Sequence, residues 1–229
     1  MRVGARVTRR HVLREKDGAG EQQVERFAQT RGWPPVGATE ADQAARAGYE
    51  RVWQTGTALT LHYAEDPIIR QGYVFLAGDD PVALPGVEAE LLAAVDHWPD
   101  GDLLAAVLNA PDSEELGYAL VRAALGAPLS DDPPLVAQIR TALRDGDPGL
   151  RKEAVLATTY TGWPVFLDEL RLLLTWEDDD EARELAEAAL RAAESSAAES
   201  VAESSAAEQQ TAQQQAADQP PVVHHREGP

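Results

Sequence analysis

Cysteine is absent from the chain of 229 residues, which excludes disulfide bonds, thiolate metal ligands and cysteine nucleophiles. Lysine occurs only at Lys16 and Lys152, so the basic residues are overwhelmingly arginine. No run of about 18 apolar residues is present, as a membrane-spanning helix requires. The first residues are basic, but no uninterrupted apolar stretch follows them, so we expect no secretory signal peptide. These absences predict a cytoplasmic protein without a membrane segment.

Negative charge dominates the sequence and is unevenly placed. The formal net charge is -19. Residues 1–82 hold 11 basic and 11 acidic residues, residues 83–192 hold 8 and 22, and residues 193–229 hold 1 and 6. Nucleic-acid affinity depends on phosphates that lysine and arginine neutralise, so this composition opposes binding to DNA or RNA. It favours a basic or amphipathic protein partner. The abundance of arginine, alanine, glycine and aspartate is typical of bacteria with GC-rich genomes.

The first part of the chain, residues 1–82, predicts a small α+β unit. A helix is expected over residues 21–30, because Val24, Phe27 and Ala28 share one helical face. Three runs rich in β-branched and aromatic residues predict an antiparallel three-stranded meander packed on this helix: Tyr49–Thr55, Thr57–Glu65 and Ile68–Ala77. Two weaker patterns predict a short strand over residues 3–7 and a short helix over residues 40–47.

Strand signals stop at residue 84, and leucine and alanine then recur with the 3.6-residue period of amphipathic helices. Short antiparallel helices are expected over Val87–His97, Asp102–Asn109, Glu114–Leu125, Leu135–Arg144, Leu150–Tyr160, Val165–Trp176 and Glu181–Ala193. Residues 84–193 thus form a predicted helical region. Residues 194–229 are an acidic low-complexity tail of alanine, serine, glutamate and glutamine. This tail lacks the apolar side chains that offset chain entropy, so we expect it to be mostly disordered.

An internal repeat runs through the helical region. The segment from Asp147 to Ala154 recurs from Asp179 to Ala186, and more weakly from Asp112. The segment that begins at Pro133 recurs at Pro164. This second match aligns the following pairs: Ile139 with Leu170, and Arg140 with Arg171.

These residues resemble HEAT repeats, whose first helix opens with an Asp-Pro-x-x-Arg-x-x-Ala pattern. One nearly complete unit consists of Asp147, Pro148, Arg151 and Ala154, followed by Pro164, Leu167, Leu170 and Leu174. Asp147 is expected to cap the helix, and Ala154 permits close contact between helices. The resemblance covers residues 84–193 and is strongest over 133–190. It implies a stack of helical hairpins that binds other proteins, with the α+β unit as an N-terminal cap.

Aromatic and acidic residues near predicted helix ends are the candidate binding residues. Trp98, Trp163 and Trp176 lie at predicted helix ends, where they form either an anchor surface for a partner or part of the core. Core packing is the more common outcome for such residues. The aspartates Asp178, Asp179 and Asp180 belong to an acidic run at a predicted helix start. Capping and the helix dipole explain such a run better than a divalent cation site does.

An alternative polar site combines His62, Glu65 and Asp66 at the end of a predicted strand, where an imidazole beside carboxylates suits acid–base chemistry. A solvated strand end that leads into a turn is the more common interpretation of these residues. The chain has no nucleophile elbow, no phosphate-binding loop and no His-Glu-x-x-His motif. No histidine pair has the spacing that places two metal ligands on one helix face. We therefore expect no catalytic residue, no cofactor and no metal ion.

The sequence predicts a non-catalytic protein–protein interaction module whose acidic helical stack binds a protein partner. An immunity-type protein and a regulatory scaffold both fit this description, because an acidic surface speeds the capture of a basic target. The alternative is an enzyme or enzyme subunit of the HEAT-like lyase type, with a site near the N-terminal sheet. A passive assembly scaffold with the tail as a spacer is a third possibility.

Overall fold

A computed structural model describes residues 6–14, 19–42, 48–56 and 58–195. Within these ranges, an antiparallel sheet with two helices forms the N-terminal region, and packed helices form the rest. The chain is therefore an α+β protein. The expected disordered tail lies outside the described residues from position 196 onward, whereas residues 194 and 195 are helical.

The sheet contains six strands: β1 (Arg6–Val7), β2 (His11–Val12), β3 (Pro35–Thr39), β4 (Glu50–Gln54), β5 (Leu59–Glu65) and β6 (Gly72–Gly78). All of their pairings are antiparallel. The order across the sheet is β1-β6-β5-β4-β3, and β2 pairs with the same strand as β1. In the centre, Leu61 on β5 lies opposite Trp53 and Leu76. Burial alternates along β5 and β6, so each strand turns one face towards the core.

Two helices cover the buried face of the sheet. They are α1 (Ala19–Thr30) and α2 (Leu84–Ala94). The residues expected to share one face of α1, Val24, Phe27 and Ala28, are buried there. Leu84 and Leu91 of α2 are buried in the same cluster. The core of the sheet region thus includes α2. From its composition, this helix was expected to belong to the helical region that begins at residue 84.

The predicted three-stranded meander corresponds to β4, β5 and β6, but the sheet is wider than expected. Every residue of β3 is exposed, and an edge strand without a buried face has no alternating pattern to detect. Residues 68–71, expected to begin a strand, form a turn. The Asp66 carboxylate accepts hydrogen bonds from the N–H groups of Ile68 and Ile69 there, each at 2.9 Å.

Two weaker predictions fall partly outside the described residues. The short strand expected over residues 3–7 is seen only in Arg6–Val7, since residues 3–5 lie outside the described ranges. The helix expected over residues 40–47 is not formed at residues 40–42, and residues 43–47 lie outside the described ranges.

The helical region contains α3 (Asp100–Leu108), α4 (Ser113–Leu125), α5 (Pro133–Ala142), α6 (Pro148–Thr161), a 3₁₀ turn at Pro164–Phe166 that leads into α7 (Leu167–Leu173), and α8 (residues 180–195). Each matches a predicted helix to within a few residues. Contacts between α4 and α6, and between α3 and α5, indicate two rows of helices. We call α4, α6 and α8 the capped row, and α3, α5 and α7 the second row.

The capped row repeats one local structure. Asp112, Asp147 and Asp179 each accept a hydrogen bond from a backbone N–H two or three residues later, at 2.9, 2.9 and 2.8 Å respectively. The predicted cap at Asp147 is therefore confirmed, and its two repeat equivalents do the same. Lys152 near the start of α6 lies 2.6 Å from Glu181 near the start of α8. The N-termini of these helices therefore lie side by side.

Small residues allow the helices of the capped row to approach closely. A Cβ atom at Gly117 of α4 would lie 2.9 Å from Cγ of Glu153 on α6. Alanines occupy many of the buried positions of this row: Ala119, Ala123, Ala154, Ala157, Ala186 and Ala189 are all buried. Close contact at Ala154, expected from the repeat pattern, is consistent with its complete burial.

The sheet region and the helical region share a small core of their own. Val12 and Ile69 from the sheet region are buried with Val121 and Leu125 of α4. The Tyr160 hydroxyl on α6 donates a hydrogen bond of 2.5 Å to Asp66, which is 6% exposed. The two regions therefore join through both apolar and polar contacts.

Candidate functional site

The aligned starts of the capped row form an acidic edge. It consists of Asp112, Glu114, Glu115, Asp145, Asp147, Asp178, Asp179, Asp180, Glu181 and Glu184. Three of these residues cap helices, and acidic residues in a first helical turn also complement the helix dipole. Asp178 is different, because it precedes the capping residue Asp179 and its side chain is 95% exposed. The acidic edge therefore has more exposed negative charge than capping requires.

A buried ion pair holds this edge in place. The guanidinium of Arg151 on α6 donates two hydrogen bonds to the carboxylate of Glu177, one of them at 2.6 Å, and neither residue is more than 4% exposed. Arg151 also donates to the carbonyl of Asp145 at 2.9 Å. The hydrogen bonds from Arg151 hold the pKa of Glu177 below its ordinary value. The turn before α8 is thus tied to α6.

The cations of the acidic edge are largely used within the fold. Arg151 is bonded to Glu177 and also lies 3.7 Å from the exposed Asp178, and Lys152 pairs with Glu181. Arg183 donates to the backbone carbonyls of Leu174 and Glu177. Little positive charge is therefore left to neutralise the exposed carboxylates.

Trp176 and the three aspartates of the predicted binding set lie together on this edge. The Trp176 ring is 44% exposed, and its centre lies 5.4 Å from the guanidinium carbon of Arg151. Asp178, Asp179 and Asp180 follow it in the same turn, where Asp179 caps α8. This part of the edge combines an exposed aromatic ring with exposed carboxylates, as recognition surfaces for basic partners do.

The two other tryptophans of the set have structural partners. Trp163 is 4% exposed, and its indole N–H donates to the carbonyl of Pro128 at 3.1 Å. Trp98 is half-buried between two arginines, since the guanidinium carbons of Arg14 and Arg122 each lie 4.3 Å from the centre of an indole ring. Both residues pack between structural elements.

The structure does not bring the tryptophans to one patch. Trp176 lies beside Arg151 in the first turn of α6, whereas Trp163 follows Gly162, the residue that ends α6. These two ends are about 16 Å apart along the helix axis, at 1.5 Å per residue. Only Trp176 remains next to the acidic edge.

The residues of the alternative polar site do not lie together, because His62 and Glu65 are on opposite faces of the sheet. Neighbouring residues of a strand point to opposite faces, so His62 lies on the face opposite to Tyr63 and Glu65. The carboxylate beside His62 is Glu50, whose Oε1 lies 2.9 Å from Nδ1, and Nε2 lies 2.8 Å from the Thr60 hydroxyl. Both ring nitrogens are therefore engaged within the sheet.

The two carboxylates of that site have partners of their own. Glu65 accepts a hydrogen bond from the Tyr63 hydroxyl at 2.8 Å. Asp66 accepts from two backbone N–H groups and from the Tyr160 hydroxyl. His62, Glu65 and Asp66 thus belong to three separate hydrogen-bond groups.

A cleft of about 460 Å³ lies where the sheet meets the helices. Tyr73 and Phe75 on one side face Tyr160 and Leu129 on the other, and Arg10 lies over the Tyr73 ring. Burial raises the pKa of both tyrosines, so their phenols stay neutral. The cleft offers an apolar wall and two arginines, Arg10 and the Asp100-paired Arg9, which suits binding more than proton transfer.

Part of the acidic edge was missed from the sequence. Glu114 and Glu115 precede the apolar part of α4 and resemble ordinary first-turn residues. The weak repeat match at Asp112 was the available signal, because equivalent helix starts in a repeat array lie on the same edge. That match places these glutamates beside the start of α6.

Two further properties concern the residues that the structure describes. Among them, no group of three or more histidine, aspartate or glutamate side chains is placed to hold a metal ion. None of the described helices has both the length and the apolar character needed to cross a bilayer.

Comparisons with protein-family models, with curated proteins and with solved structures each found no match.

Proposed function

We propose that this protein is a non-catalytic, cytoplasmic interaction module of bacterial type, in which a HEAT-like helical stack binds a basic protein partner through the acidic edge. The observation that carries the proposal is the exposed group formed by Trp176, Asp178 and Asp180 beside α8. Of the nearest cations, Arg151 bonds to the buried Glu177 and lies 3.7 Å from Asp178, and Lys152 pairs with Glu181.

The HEAT-like assignment rests on the repeated cap and the repeated core. Asp112, Asp147 and Asp179 cap successive helices of one row, and alanines at equivalent positions let those helices pack closely. Such stacks expose an extended surface on which binding residues from several repeats line up. The acidic edge is a surface of this kind.

Electrostatics favours a basic protein over a nucleic acid or a small anion. Residues 83–192 hold 22 acidic and 8 basic residues, and this excess repels polyanions while it speeds encounter with cationic surfaces. An immunity-type or regulatory role agrees with this property, since rapid capture of a basic target serves both. The lyase-type alternative gains no support at His62, because both of its ring nitrogens are hydrogen-bonded within the sheet.

The experiment compares two triple variants with the same change in charge. One carries Asp178→Lys, Asp180→Lys and Glu184→Lys on the acidic edge. The control carries Glu40→Lys, Asp79→Lys and Asp131→Lys, three exposed acids elsewhere. Each full-length protein is immobilised and exposed to a lysate of the source organism, and retained proteins are identified by mass spectrometry at about 0.1 M and about 1 M salt, where the Debye length falls from about 10 to about 3 Å.

We expect the unmodified protein and the control to retain the same basic proteins at the lower salt concentration and to release them at the higher one. The acidic-edge variant should retain at most about a tenth as much, a loss of about 1.4 kcal/mol in binding free energy. Retention without enrichment of basic proteins, or equal retention by the two triple variants, would contradict the proposal.

A further inference from the structure

The cleft between the sheet and the helices keeps apolar side chains in contact with solvent. Its volume of about 460 Å³ lies within the range of roughly 300–1,000 Å³ that small-ligand sites occupy. Of its lining residues, Val7 and Leu129 are 50% and 76% exposed. Three aromatic lining residues are half-buried: Tyr73, Phe75 and Tyr160. We call this cavity the sheet–helix cleft. Its apolar surface is not covered by the fold.

Aromatic rings form the sheet side of the cleft. Tyr73 and Phe75 are two residues apart on β6, and Val74 between them is buried in the core that contains α1 and α2. The two rings therefore lie on the other face of the sheet. Their centres are 6.1 Å apart and their planes differ by 23°, and His62 stacks on Phe75 at 4.4 Å. Aromatic rings favour offset-stacked or edge-to-face contacts at such separations, so a ring from a ligand can extend this row.

The charge of the cleft is opposite to that of the whole chain. Among the described residues that line it, two are arginines and none is acidic, although the formal net charge of the chain is -19. Arg9 is neutralised by Asp100, to which it donates two hydrogen bonds, one of them at 2.9 Å. Arg10 lies over the Tyr73 ring, and its NH1 group makes a long contact of 3.5 Å with the carbonyl of Tyr160. Arg10 therefore keeps most of its donors for a ligand.

Two carboxylates near the cleft are engaged elsewhere. Burial raises the pKa of Tyr73, and the charges of Asp66 and Glu50 raise it further, which places both carboxylates close to that ring. Asp66 is 6% exposed and accepts hydrogen bonds from two backbone N–H groups and from a tyrosine hydroxyl of α6. Glu50 pairs with His62 at 2.9 Å. Neither carboxylate forms a salt bridge with Arg10, so its guanidinium has a positive charge that the fold does not pair.

We infer that the sheet–helix cleft binds a small organic monocarboxylate with a planar aromatic body, whose carboxylate pairs with Arg10. Arginine and a carboxylate form charge-assisted hydrogen bonds with matching planar geometry. The aromatic body packs between the rings of β6 and the side chain of Leu129. One unpaired guanidinium matches one negative charge, and the charge of the whole chain opposes ligands that carry several. The inference is independent of the proposed function, because no residue of the cleft belongs to the acidic edge.

The test measures ligand binding to the full-length protein by isothermal titration calorimetry, with naphthalene carboxylate as the probe. Each comparison compound changes one property of the probe. Naphthalene carboxamide lacks the charge, cyclohexane carboxylate lacks the planar ring, and inorganic phosphate lacks the apolar body.

The protein variants remove either the charge or part of the apolar wall. Arg10→Gln and Leu129→Ala alter the cleft. Arg26→Gln and Leu108→Ala are the matched controls, since both residues are exposed and neither lines the cleft. Circular dichroism checks that each variant keeps its secondary structure. Because Leu129 is 76% exposed, its truncation tests the cleft even if Arg10→Gln disturbs the fold.

We expect naphthalene carboxylate to bind the unmodified protein and both controls with the same dissociation constant. Arg10→Gln should weaken binding at least about tenfold, because it removes the charge-assisted hydrogen bonds. Leu129→Ala should weaken binding about threefold, because it removes apolar contact area. The carboxamide, cyclohexane carboxylate and phosphate should each bind more weakly than the probe.

Four results would overturn the inference. The first is a dissociation constant of the probe weaker than about 1 mM, and the second is an equal effect of Arg10→Gln and Arg26→Gln or of the two leucine variants. Carboxamide binding as tight as that of the probe would exclude an anionic ligand. Equally tight binding of cyclohexane carboxylate or phosphate would exclude selection of a planar aromatic body.

Discussion

The sheet region and the helical region differ in how much of their core is alanine. Both regions bury large side chains completely, such as Trp53 and Tyr63 in the sheet region and Ile139 in the helical region, but Ala28 is the one alanine among the described residues in the main core of the sheet region. In the helical region alanines take many of the buried positions, and Gly117 lies against Glu153 of the neighbouring helix. Adjacent helices of one row approach closely only where the facing side chains are small, so alanine and glycine are needed there in addition to the large residues between the rows.

The two regions also place their charges differently. In the sheet region, Arg51 on β4 reaches Glu21 and Glu25 of α1, so opposite charges meet across the layers. In the helical region Arg151 and Lys152 of the capped row pair with acids of the same row, and further carboxylates stay exposed at the helix starts. The helical region thus carries charge that its own fold does not neutralise.

The largest expected effect comes from breaking the buried ion pair of the helical region. Glu177→Ala leaves the Arg151 guanidinium buried without its carboxylate, and we expect a loss of about 3–5 kcal/mol in the free energy of unfolding. Urea denaturation followed by circular dichroism measures it. Lys152→Ala removes the neighbouring exposed pair with Glu181 and should cost far less. If Glu177→Ala and Lys152→Ala lowered the free energy of unfolding equally, the buried ion pair would be no more important for stability than the exposed one.

A smaller effect on stability is expected when one glycine of each region, Gly117 or Gly86, is substituted. Gly117→Leu inserts a side chain where a Cβ atom already meets Glu153 at 2.9 Å, and overpacking of this kind costs about 1–3 kcal/mol. A Cβ atom at Gly86 on α2 would have no heavy atom within 4 Å, so Gly86→Ala should stabilise the helix by up to about 1 kcal/mol. Thermal unfolding of both variants measures the difference. If Gly86→Ala destabilised the protein more than Gly117→Leu does, the claim that Gly117 is tightly packed and Gly86 is not would be wrong.

The smallest effect concerns pH and belongs to the sheet region. Burial lowers the pKa of His11 below 6.5, and Arg9 and His97 add to this, against the hydrogen bond from His11 to Glu88. The folded protein therefore binds fewer protons at this site than the unfolded chain. The contribution of neutral His11 to stability is present above about pH 6.5 and is lost as the pH falls below it.

The free energy of unfolding, measured between about pH 8 and about pH 5, should fall with a shallower slope for His11→Gln than for the unmodified protein. Glu177→Gln, in the helical region, serves as a comparison. The pKa of Glu177 is held below its ordinary value of 4.5, so this substitution should leave the slope near neutral pH unchanged. Identical slopes for His11→Gln and the unmodified protein would show that His11 does not cause this dependence.

Much of the fold could be predicted from short patterns in the chain. Helix starts were found within a few residues because aspartates such as Asp112 and Asp147 mark them chemically. The strand β3 was missed, since its residues are all exposed and its place in the sheet comes from hydrogen bonds to β4. The pairing of Arg151 with Glu177 was also missed, because nothing local links residues 26 positions apart.

The candidate site also has some features that the sequence predicts and others that need the tertiary structure. Asp178, Asp179 and Asp180 are adjacent in the chain, so their common location needed no tertiary information. Trp98, Trp163 and Trp176 looked equivalent as residues at helix ends, yet only Trp176 is exposed beside these aspartates. Which tryptophan faces solvent depends on what packs against it, and helical periodicity does not contain that information.

By itself the sequence determined the properties that depend on local patterns: the helix starts, the internal repeat of the helical region and the concentration of negative charge after residue 83. Only the tertiary structure decided which charged side chains form buried ion pairs and which stay exposed to solvent. Arg151 donates two hydrogen bonds to the buried Glu177, whereas Asp178, in the same acidic run, is 95% exposed and only 3.7 Å from the edge of that guanidinium. Burial and pairing are set by contacts between distant segments, and these form only when the rows of helices pack together.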